Sequence, residues 1–354
     1  MVRPMLKEII EDPRLAWTPK NLQLPKQILS LPQKSVNEIA AIAWRMNSVP
    51  EEAELTAEQI KHYKQSLANP YNLDLPFGDL EAKGLLTSTR EVLQTIRKDE
   101  LDDGPGFAIV DLSQTGLNAE QQTNALIVLT RMLGEEFVPQ SSGLLLLKDV
   151  TSRGAEYDTN PDARYSDTRE GGNPHSENAE GNVTVPYFGL LFRIQAVEGY
   201  GGESVIYSSR AVHNELLKRD RSVLERLYQD FHWDSRVSGP EGRITIKKPI
   251  FSFDPSRGIQ GLECQYLRKY IDDGYTHSGT EMDSITRQAL DTMDSLVNEK
   301  SPLALIGKAQ PGMLVLFNNL AVLHARTTYK DGTNPAENRR ASRVWITTPA
   351  NHHP

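Results

Sequence analysis

The chain has 354 residues, with 39 Lys and Arg against 47 Asp and Glu, so its formal net charge is −8. This acidic balance argues against a nucleic-acid or anionic-membrane partner, since both call for clustered basic residues. Apolar residues make up 38% of the chain, enough for a sizeable core, and no apolar run approaches the ~18 residues of a membrane span. The single cysteine, Cys264, excludes an internal disulfide and a cysteine-based zinc site. With no signal-peptide pattern at the N-terminus, we expect a cytoplasmic protein.

The first hundred residues are predicted to be mostly helical. The patterns Ser35–Glu38 and Thr56–Gln59 are both capping boxes, and each opens a stretch with helical spacing. A further amphipathic stretch covers 91–96. A helix over 118–133 follows, with Asn118 as its N-cap and Gly134 just past its end.

One strand signal precedes the helix over 118–133, and strand signals dominate the chain from residue 143 onward. Two helical stretches, roughly 210–230 and 280–299, interrupt them. The predicted strands cover 106–112, 144–147, 183–197, 204–207, 244–253, 313–317 and 342–348.

Helices collected near the N-terminus and many short strands after them favour an α+β fold. In such a fold a sandwich or barrel is wrapped by helices. No linker rich in Pro, Ser or Gly separates the two halves, so we expect a single domain over 1–354. Its mostly helical part would cover 1–100, and its strand-rich core would cover 104–348.

A His-x-acid triplet on a strand can hold one metal ion, because residues i and i+2 share a face. Three such triplets occur, where about one is expected by chance. His213-Asn214-Glu215 lies in a predicted helix, where i and i+2 diverge by about 200°, and we interpret it as a solvated helix face. His232-Trp233-Asp234 enters a strand, but a half-buried packing residue beside Trp233 is the more typical interpretation.

The third triplet, His175-Ser176-Glu177, has different surroundings. It follows a polar, irregular stretch over 159–173 and precedes a long strand pair. A site of two histidines and one carboxylate also needs a distant second histidine, delivered by an adjacent strand. His324 ends an apolar run and fits that role, although a buried core histidine is the usual interpretation of such a segment alone.

Four short motifs occur in a fixed order along the chain: His175-x-Glu177, Gly201-Gly202-Glu203-Ser204, His324 and Arg339-x-x-x-Arg343. This order and spacing resemble the TauD/TfdA-like superfamily of iron(II)- and 2-oxoglutarate-dependent oxygenases. The wider family has Asp at the position of Glu177. A Glu there is characteristic of the clavaminate-synthase-like branch, which this chain resembles most and which includes hydroxylases of free amino acids. The resemblance covers about 104–348 and implies that this core is a double-stranded β-helix, or jelly roll, with helical insertions.

The resemblance implies a role for each motif residue. His175, Glu177 and His324 would be the catalytic iron ligands. Arg339 would hold the distal carboxylate of 2-oxoglutarate, since a planar guanidinium donates two parallel hydrogen bonds. Ser204 would donate to the same carboxylate, at a position where the family usually has Thr.

The second arginine, Arg343, would hold the carboxylate of an amino-acid substrate. The substrate ammonium would then lie near Glu177 or Gln140. Arg339 and Arg340 compete for the first arginine role. On a strand Arg339 shares a face with Arg343 while Arg340 points away, so we choose Arg339.

Two neighbouring segments carry further expectations. Arg164-Tyr165-Ser166 is expected to line the pocket as part of a lid, with Ser166 among the substrate-binding residues and Gly171-Gly172 as a hinge. An ordinary polar surface loop is the alternative interpretation. The insertion Gly199-Tyr200 leaves the register up to Ser204 open by a residue or two.

The function implied is a dioxygenase that uses Fe(II), 2-oxoglutarate and O₂ to oxidise an unactivated C–H bond. Its substrate would be a free amino acid or an amino-acid-like carboxylate, with release of succinate and CO₂. Hydroxylation, oxidative cyclisation and desaturation all remain open, as does the oligomeric state, and a role in natural-product biosynthesis rests on the resemblance alone. The alternative is a cupin-like metal-binding barrel, either non-enzymatic or an isomerase, although such proteins usually carry more histidines in the motif.

Overall fold

The computed structural model describes residues 3–22, 24–43, 84–134, 136–138, 140, 147–156, 159–160, 163–181, 183–240 and 242–348. Within them the strands, in chain order, are β1 (Ile28–Leu29), β2 (Phe107–Asp111), β3 (Glu136–Phe137), β4 (Leu147–Val150), β5 (Gly172–His175), β6 (Tyr187–Ile194), β7 (Ser204–Ser208), β8 (Phe231–Gly239), β9 (Gly242–Lys248), β10 (Phe251–Phe253), β11 (Leu262–Cys264), β12 (Leu305–Gly307), β13 (Met313–Asn318), β14 (Val322–Arg326) and β15 (Arg340–Thr347).

The helices of the same residues are α1 (Gln33–Ala43), α2 (Thr87–Thr95), α3 (Ala119–Arg131), α4 (Ser209–Arg219), α5 (Arg221–Leu227), α6 (Arg268–Ser278) and α7 (Ser284–Leu296). A π-helical segment, Ile96–Asp102, continues α2. None of the described helices is both long enough and apolar enough to span a membrane.

Two sheets form the centre of the molecule. The larger has the strand order β1-β2-β13-β6-β15-β3, and β4 pairs with β15 off this path. The smaller has the order β12-β7-β14-β5 and is antiparallel throughout. Two short hairpin-like pairs, β8 with β9 and β10 with β11, stand apart from both sheets. The observed mixture of sheets and helices confirms the α+β fold class.

Side-chain alternation along the strands decides which layers touch. Phe107 and Ile109 of β2 pack together with Ile206 and Val322 of the smaller sheet, in a core between the two sheets. The intervening residues of β2, for example Val110, belong instead to a core that includes α3. The smaller sheet packs its other face against α4 to α7. The space between the sheets is therefore enclosed on both sides by buried layers.

Two predicted elements are each divided in the structure by one residue. The strand predicted over 244–253 is two strands, β9 and β10, because Pro249 between them lacks an amide donor. The helix predicted over 210–230 is two helices, since the Asp220 carboxylate accepts hydrogen bonds from the Ser222 and Val223 amides and caps α5. The strand predicted over 183–197 is shorter, because β6 begins only after Pro186.

Other boundaries differ less, and one helix was not predicted. The α3 helix has the predicted N-cap Asn118, and Gln121 completes a capping box with it. The strand predicted over 144–147 is seen as β4, which starts at Leu147, while 141–146 lie outside the described residues. The helix α6 was missed.

The capping-box prediction at Ser35 is wrong. Helix α1 begins at Gln33, so Ser35 lies inside it, fully buried, with its hydroxyl 3.0 Å from that of Ser88. The Glu38 carboxylate instead accepts hydrogen bonds from the amides of Ser88 and Thr89 in the first turn of α2. Glu38 thus caps a different helix. The second predicted box, Thr56–Gln59, lies outside the described residues.

Candidate metal centre and the cavity around it

Three side chains with metal-binding donor atoms meet at the edge of the smaller sheet. His175 ends β5 and pairs directly across the ladder with His324 of β14, while Glu177 follows two residues after β5. Their donor atoms all lie within 4.8 Å of one another. Among the described residues this is the one group of three or more His, Cys, Asp or Glu side chains so arranged. Strand pairing therefore brings the three predicted ligands together across about 150 residues of sequence.

A buried asparagine fixes the backbone of Glu177. The side-chain oxygen of Asn319 accepts a hydrogen bond from the Glu177 amide at 2.7 Å. Its side-chain nitrogen donates to the carbonyls of Glu177 and Val185 at 2.9 and 2.8 Å. Asn319 lies in the turn between β13 and β14 and is fully buried. Sequence reasoning missed this residue, because nothing local in the sequence marks an asparagine that bonds to a distant backbone.

The Glu177 carboxylate also pairs with an arginine. Arg343 Nη1 lies 2.6 and 2.7 Å from the two carboxylate oxygens, and His324 Nε2 lies 3.3 Å from one of them. Burial by itself raises the pKa of Glu177. The charge of Arg343 and the hydrogen bond with His324 outweigh it and hold that pKa well below the usual range. Glu177 is therefore ionised and ready to act as a ligand at neutral pH.

Gln140 completes the surroundings of Arg343. Its side-chain oxygen accepts a hydrogen bond from Arg343 Nε at 2.8 Å, and its side-chain nitrogen donates to the Arg343 carbonyl at 3.0 Å. Gln140 is 1% exposed. The structure thus places Gln140, Arg343 and Glu177 in direct contact, as expected if they bind one ligand together.

The other arginine of the motif, Arg339, has no such partner. Its Nε and Nη1 atoms are buried without a hydrogen-bond acceptor in the part of the chain that the structure describes, and the residue is 3% exposed. Its guanidinium lies 5.5 and 5.4 Å from the ring centres of Phe192 and Tyr329. Burial, together with the charge of Arg326, lowers the pKa of Arg339 to about 10, which leaves it charged at neutral pH.

Arg340 faces a different environment. Its Nε lies 3.8 Å from the carboxylate of Asp149, away from the cavity that Arg339 lines. Gly202 packs against Arg339, since a Cβ at this position would lie 3.4 Å from Arg339 Nε and 2.9 Å from Ala196, and its φ of +85° favours glycine. The glycine pair before Ser204 thus leaves room for the arginine.

These side chains enclose one cavity between the two sheets. The predicted Ser204 and Ser166 both line it. The full lining is Val150, Tyr165, Ser166, His175, Glu177, Leu190, Ser204, Ile206, Phe317, His324, Ala325, Arg326, Arg339 and Arg343. All the predicted site residues except Gln140 are in this set, and Gln140 touches it through Arg343.

Arg326, two residues after His324 on the same face of β14, was not predicted. Its guanidinium lies between the rings of Tyr165 and Tyr329, 5.0 and 4.7 Å from their centres. Its Nη2 donates to the carbonyls of Thr168 and Glu170, and Tyr165 Oη donates to the Arg326 carbonyl. Arg326 thereby ties the predicted lid segment to the strand that carries His324. The hinge at Gly171-Gly172 stays a prediction.

The two other His-x-acid triplets lie elsewhere. The interpretation of His213 as part of a solvated helix face is wrong, because His213 is fully buried and its Nε2 lies 2.9 Å from Tyr228 Oη. Helix α4 turns this imidazole into an apolar core, which lowers its pKa to about 4. His232 is half-buried, with its ring 5.0 Å from that of Tyr275, in line with the packing interpretation.

Residues 85–345 match the profile of the family described as "Taurine catabolism dioxygenase TauD, TfdA family". The chain belongs to this family. The resemblance seen in the sequence is confirmed, and with it the assignment to a family of dioxygenases.

Solved structures with a similar fold include an asparagine oxygenase in complex with Fe(II), 2S,3S-3-hydroxyasparagine and succinate. It has a TM-score of 0.63 at 16% identity and covers 91% of this chain and 94% of that one. The non-heme iron oxygenase OrfP in complex with Fe and alpha-ketoglutaric acid has a TM-score of 0.59 at 15% identity, covering 91% and 93%. At these identities the likeness shows the fold.

Curated relatives match over shorter stretches. The FR-33289 synthase of Streptomyces rubellomurinus is 26% identical over 151 residues, which is 42% of this chain and 43% of the synthase. The uridine-5'-phosphate dioxygenase of an Amycolatopsis species is 23% identical over 231 residues, 64% of this chain and 80% of that enzyme. The chain thus spans less than half the length of the first of these relatives.

Proposed function

We propose that this protein is an oxygenase that oxidises an unactivated C–H bond of a free amino acid or an amino-acid-like carboxylate, with release of succinate and CO₂. The observation that carries the proposal is the cluster of His175, Glu177 and His324 beside a buried arginine, Arg339, whose guanidinium atoms Nε and Nη1 have no acceptor among the described residues. The cluster supplies donor atoms for a redox metal, and the unpaired guanidinium supplies donors for a carboxylate co-substrate. Both lie in one cavity.

Iron(II) fits the donor set. Two imidazoles and one carboxylate, with donor atoms within 4.8 Å of one another, make the facial triad typical of non-heme iron(II) oxygenases. His175, Glu177 and His324 would hold the ion. With 2-oxoglutarate and O₂, iron supplies the oxidising power for C–H cleavage, and the protein contributes orientation and exclusion of water.

Arg339 and Ser204 would hold the distal carboxylate of 2-oxoglutarate. The buried Nε and Nη1 of Arg339 are donors that this carboxylate would satisfy as a pair. Phe192 and Tyr329 flank the guanidinium and limit its movement. The Ser204 hydroxyl lines the same cavity and supplies a further donor.

Arg343, Gln140, Ser166 and Glu177 would bind the amino-acid end of the substrate. In the structure Arg343 is neutralised by Glu177. Once Glu177 binds a divalent cation, the metal partly neutralises its carboxylate. The buried guanidinium of Arg343 is then no longer fully compensated. A substrate carboxylate would supply the missing negative charge, and the side-chain oxygen of Gln140, which accepts from Arg343 Nε, would be an acceptor for the ammonium.

The known relatives support an amino-acid substrate. The asparagine oxygenase holds 3-hydroxyasparagine, and OrfP was crystallised with hydroxylated arginine. The FR-33289 synthase supports a role in natural-product biosynthesis. Hydroxylation, ring closure and desaturation all remain compatible with the proposed ligands, because the fate of the substrate radical depends on the substrate itself.

We also propose that 1–354 form one oxygenase domain, with a mostly helical part over 1–100 and a core over 104–348. In that core the larger and smaller sheets would be the two halves of a double-stranded β-helix. The core shared by Phe107, Ile109, Ile206 and Val322 supports this arrangement. The cytoplasmic location stays a prediction.

The test is an assay of succinate formation from 2-oxoglutarate with Fe(II), O₂ and each of the common amino acids in turn. We expect at least one amino acid to raise succinate formation above the level without substrate, with an equal amount of oxidised amino acid by mass spectrometry. A cupin-like binding protein or isomerase would bind the metal and form no succinate. Metal binding with no succinate under any substrate would contradict the proposal.

A further inference from the structure

A second cavity, of about 740 Å³, lies at the other end of the strands from the candidate metal centre. Strand β14 shows the separation: His324 and Arg326 line the first cavity, whereas Ala321, just before the strand, lines the second. On the neighbouring strand β7, Ser204 begins the strand in the first cavity and Arg210 follows its end in the second. The site already described uses none of the side chains of this second cavity.

Arg210 is the unusual residue of this cavity. It lies in the first turn of α4 and is 2% exposed. Its guanidinium makes no hydrogen bond or ion pair with any residue that the structure describes, and its Nε is completely buried. A buried cation without an acceptor is costly, so such a group calls for a ligand or for water.

The carboxylates that line the cavity are already engaged by other donors. Asp102 accepts a hydrogen bond from Tyr187 Oη at 2.7 Å and lies 3.5 Å from Arg97 Nε. Glu263 pairs with Arg257 at 2.5 Å. The third carboxylate of the wall, Asp254, accepts hydrogen bonds from the amide and hydroxyl of Ser256. None of them lies within ion-pair distance of Arg210.

Two more carboxylates act on Arg210 from a greater distance. Asp12 forms an ion pair with Arg14 at 2.8 Å, and Asp103 accepts a hydrogen bond from Gln260. Together with Asp102 they favour the charged guanidinium, although burial has the larger effect and lowers the pKa of Arg210 to about 10. Arg210 is thus held as a cation in the wall of the cavity.

We propose that this cavity binds a small oxyanion, a phosphate or a carboxylate, on the guanidinium of Arg210. A planar guanidinium can donate two parallel hydrogen bonds to two oxygens of such a group. The first turn of α4 adds the positive end of a helix dipole, which opposes a lone cation and favours an anion beside it. The cavity volume of about 740 Å³ also has room for the rest of a small metabolite that carries the oxyanion.

The test compares thermal unfolding of three full-length proteins in phosphate and, separately, in succinate, with NaCl holding the ionic strength constant. The proteins are the wild type, Arg210→Met and the matched control Arg257→Met, which removes the paired arginine of the same cavity. We expect the anion to raise the Tm of the wild type and of Arg257→Met, and the dissociation constant to rise at least tenfold in Arg210→Met. Anion binding in the first cavity is common to all three and cancels.

The response to the two anions names the source of the ligand: a phosphate response indicates a phosphorylated compound, and a response to succinate alone indicates a carboxylate. Equal Tm rises in all three proteins would overturn the proposal, since Arg210 would then be only hydrated. Without anion, Arg210→Met should unfold no earlier than the wild type, because it removes an unpaired buried charge.

A second measurement needs no variant. A wild-type crystal soaked in selenate should show anomalous density within hydrogen-bond distance of the Arg210 guanidinium. An absence of density there, with density at Arg339 as a positive control, would contradict the proposal even if Arg210→Met failed to fold.

Discussion

Two histidines of this chain begin the same kind of triplet, His-x-Glu, and the structure uses them in opposite ways. His175 ends a strand, and its triplet partner Glu177 meets it and His324 at the wall of the cavity between the sheets. His213 sits on helix α4, whose geometry sends Glu215 to the surface, where it pairs with Lys218. A motif therefore acquires chemistry only when its secondary structure places both side chains on one face.

The surroundings of His324, the strand partner of His175, also differ from those of His213. His324 lies 3.3 Å from an ionised carboxylate, which favours a charge or a metal ion nearby. His213 lies between the rings of Tyr228 and Phe251, with ring-centre distances of 6.0 and 5.4 Å, and burial keeps it neutral. The surroundings of His324 thus favour a bound cation, whereas those of His213 disfavour one. Variants at the two positions should therefore behave differently.

The largest expected effect comes from His324→Ala. Removing one of the three proposed ligands should reduce iron binding and take succinate formation below detection, while the fold survives because His324 borders the cavity. The control, His213→Phe, should keep normal iron binding and turnover. Iron content and succinate formation are measured on both proteins. Near-normal turnover by His324→Ala would contradict the proposed role of His324 as a metal ligand.

The next effect concerns stability in acid. The unfolded chain protonates His213 below its ordinary pKa of about 6.5, whereas the folded chain stays neutral there until about pH 4. The unfolded state therefore binds more protons in this window, and stability falls as the pH falls from 6.5 to 4, by about 3 kcal/mol. Urea unfolding at both pH values should show this loss in the wild type and not in His213→Phe. An equal loss in both would mean that other groups carry it.

The third prediction compares the adjacent arginines Arg339 and Arg340. Arg339→Ala should raise the apparent KM for 2-oxoglutarate about a hundredfold, since it removes a two-pronged, charge-assisted contact from a dry site. Arg339→Lys should rescue only part of the loss, because an ammonium cannot reproduce the planar fork. Arg340→Ala should change this KM little, because Arg340 lies against Asp149. If Arg340→Ala gave the co-substrate defect instead, the assignment would be wrong.

Arg343→Ala should act on the prime substrate instead. We expect the KM for the amino-acid substrate to rise about thirtyfold, which corresponds to the loss of one charge-assisted hydrogen-bonded pair. Succinate formation without substrate oxidation should persist, since Arg339 is untouched. Parallel titrations of 2-oxoglutarate and of the amino acid separate the two effects. A loss of affinity for the same ligand in both arginine variants would contradict their separate roles.

The smallest effect is expected for Ser204→Ala. Loss of one neutral hydroxyl donor to a carboxylate should raise the KM for 2-oxoglutarate about fivefold, near 1 kcal/mol. Ser204→Thr, which restores the residue usual in the family, should match or exceed the wild-type affinity. An unchanged KM in Ser204→Ala would place the hydroxyl outside the co-substrate site.

The sequence predicted site residues from their type and order, such as His175, Glu177 and Arg339, and the structure places these in one cavity. The sequence did not identify Asn319 or Arg326, because their function is to bond to backbone carbonyls and amides more than a hundred residues away. The same limit explains Glu38. Its local pattern predicts a capping box for its own helix, but its carboxylate accepts a hydrogen bond from the Thr89 amide of another helix. Local pattern predicts which element forms, and tertiary pairing decides what that element touches.

The ion pair between Glu177 and Arg343 has a thermodynamic consequence. In the roles proposed for them, Arg343 and the metal ion compete for the Glu177 carboxylate, which is paired with the arginine in the structure. A ligand carboxylate that occupies Arg343 removes this competitor. Linkage then requires that the amino acid tighten metal binding by the same factor by which the metal tightens amino-acid binding. In the proposed roles, metal and amino acid therefore bind with positive coupling, and each alone binds more weakly than in the presence of the other.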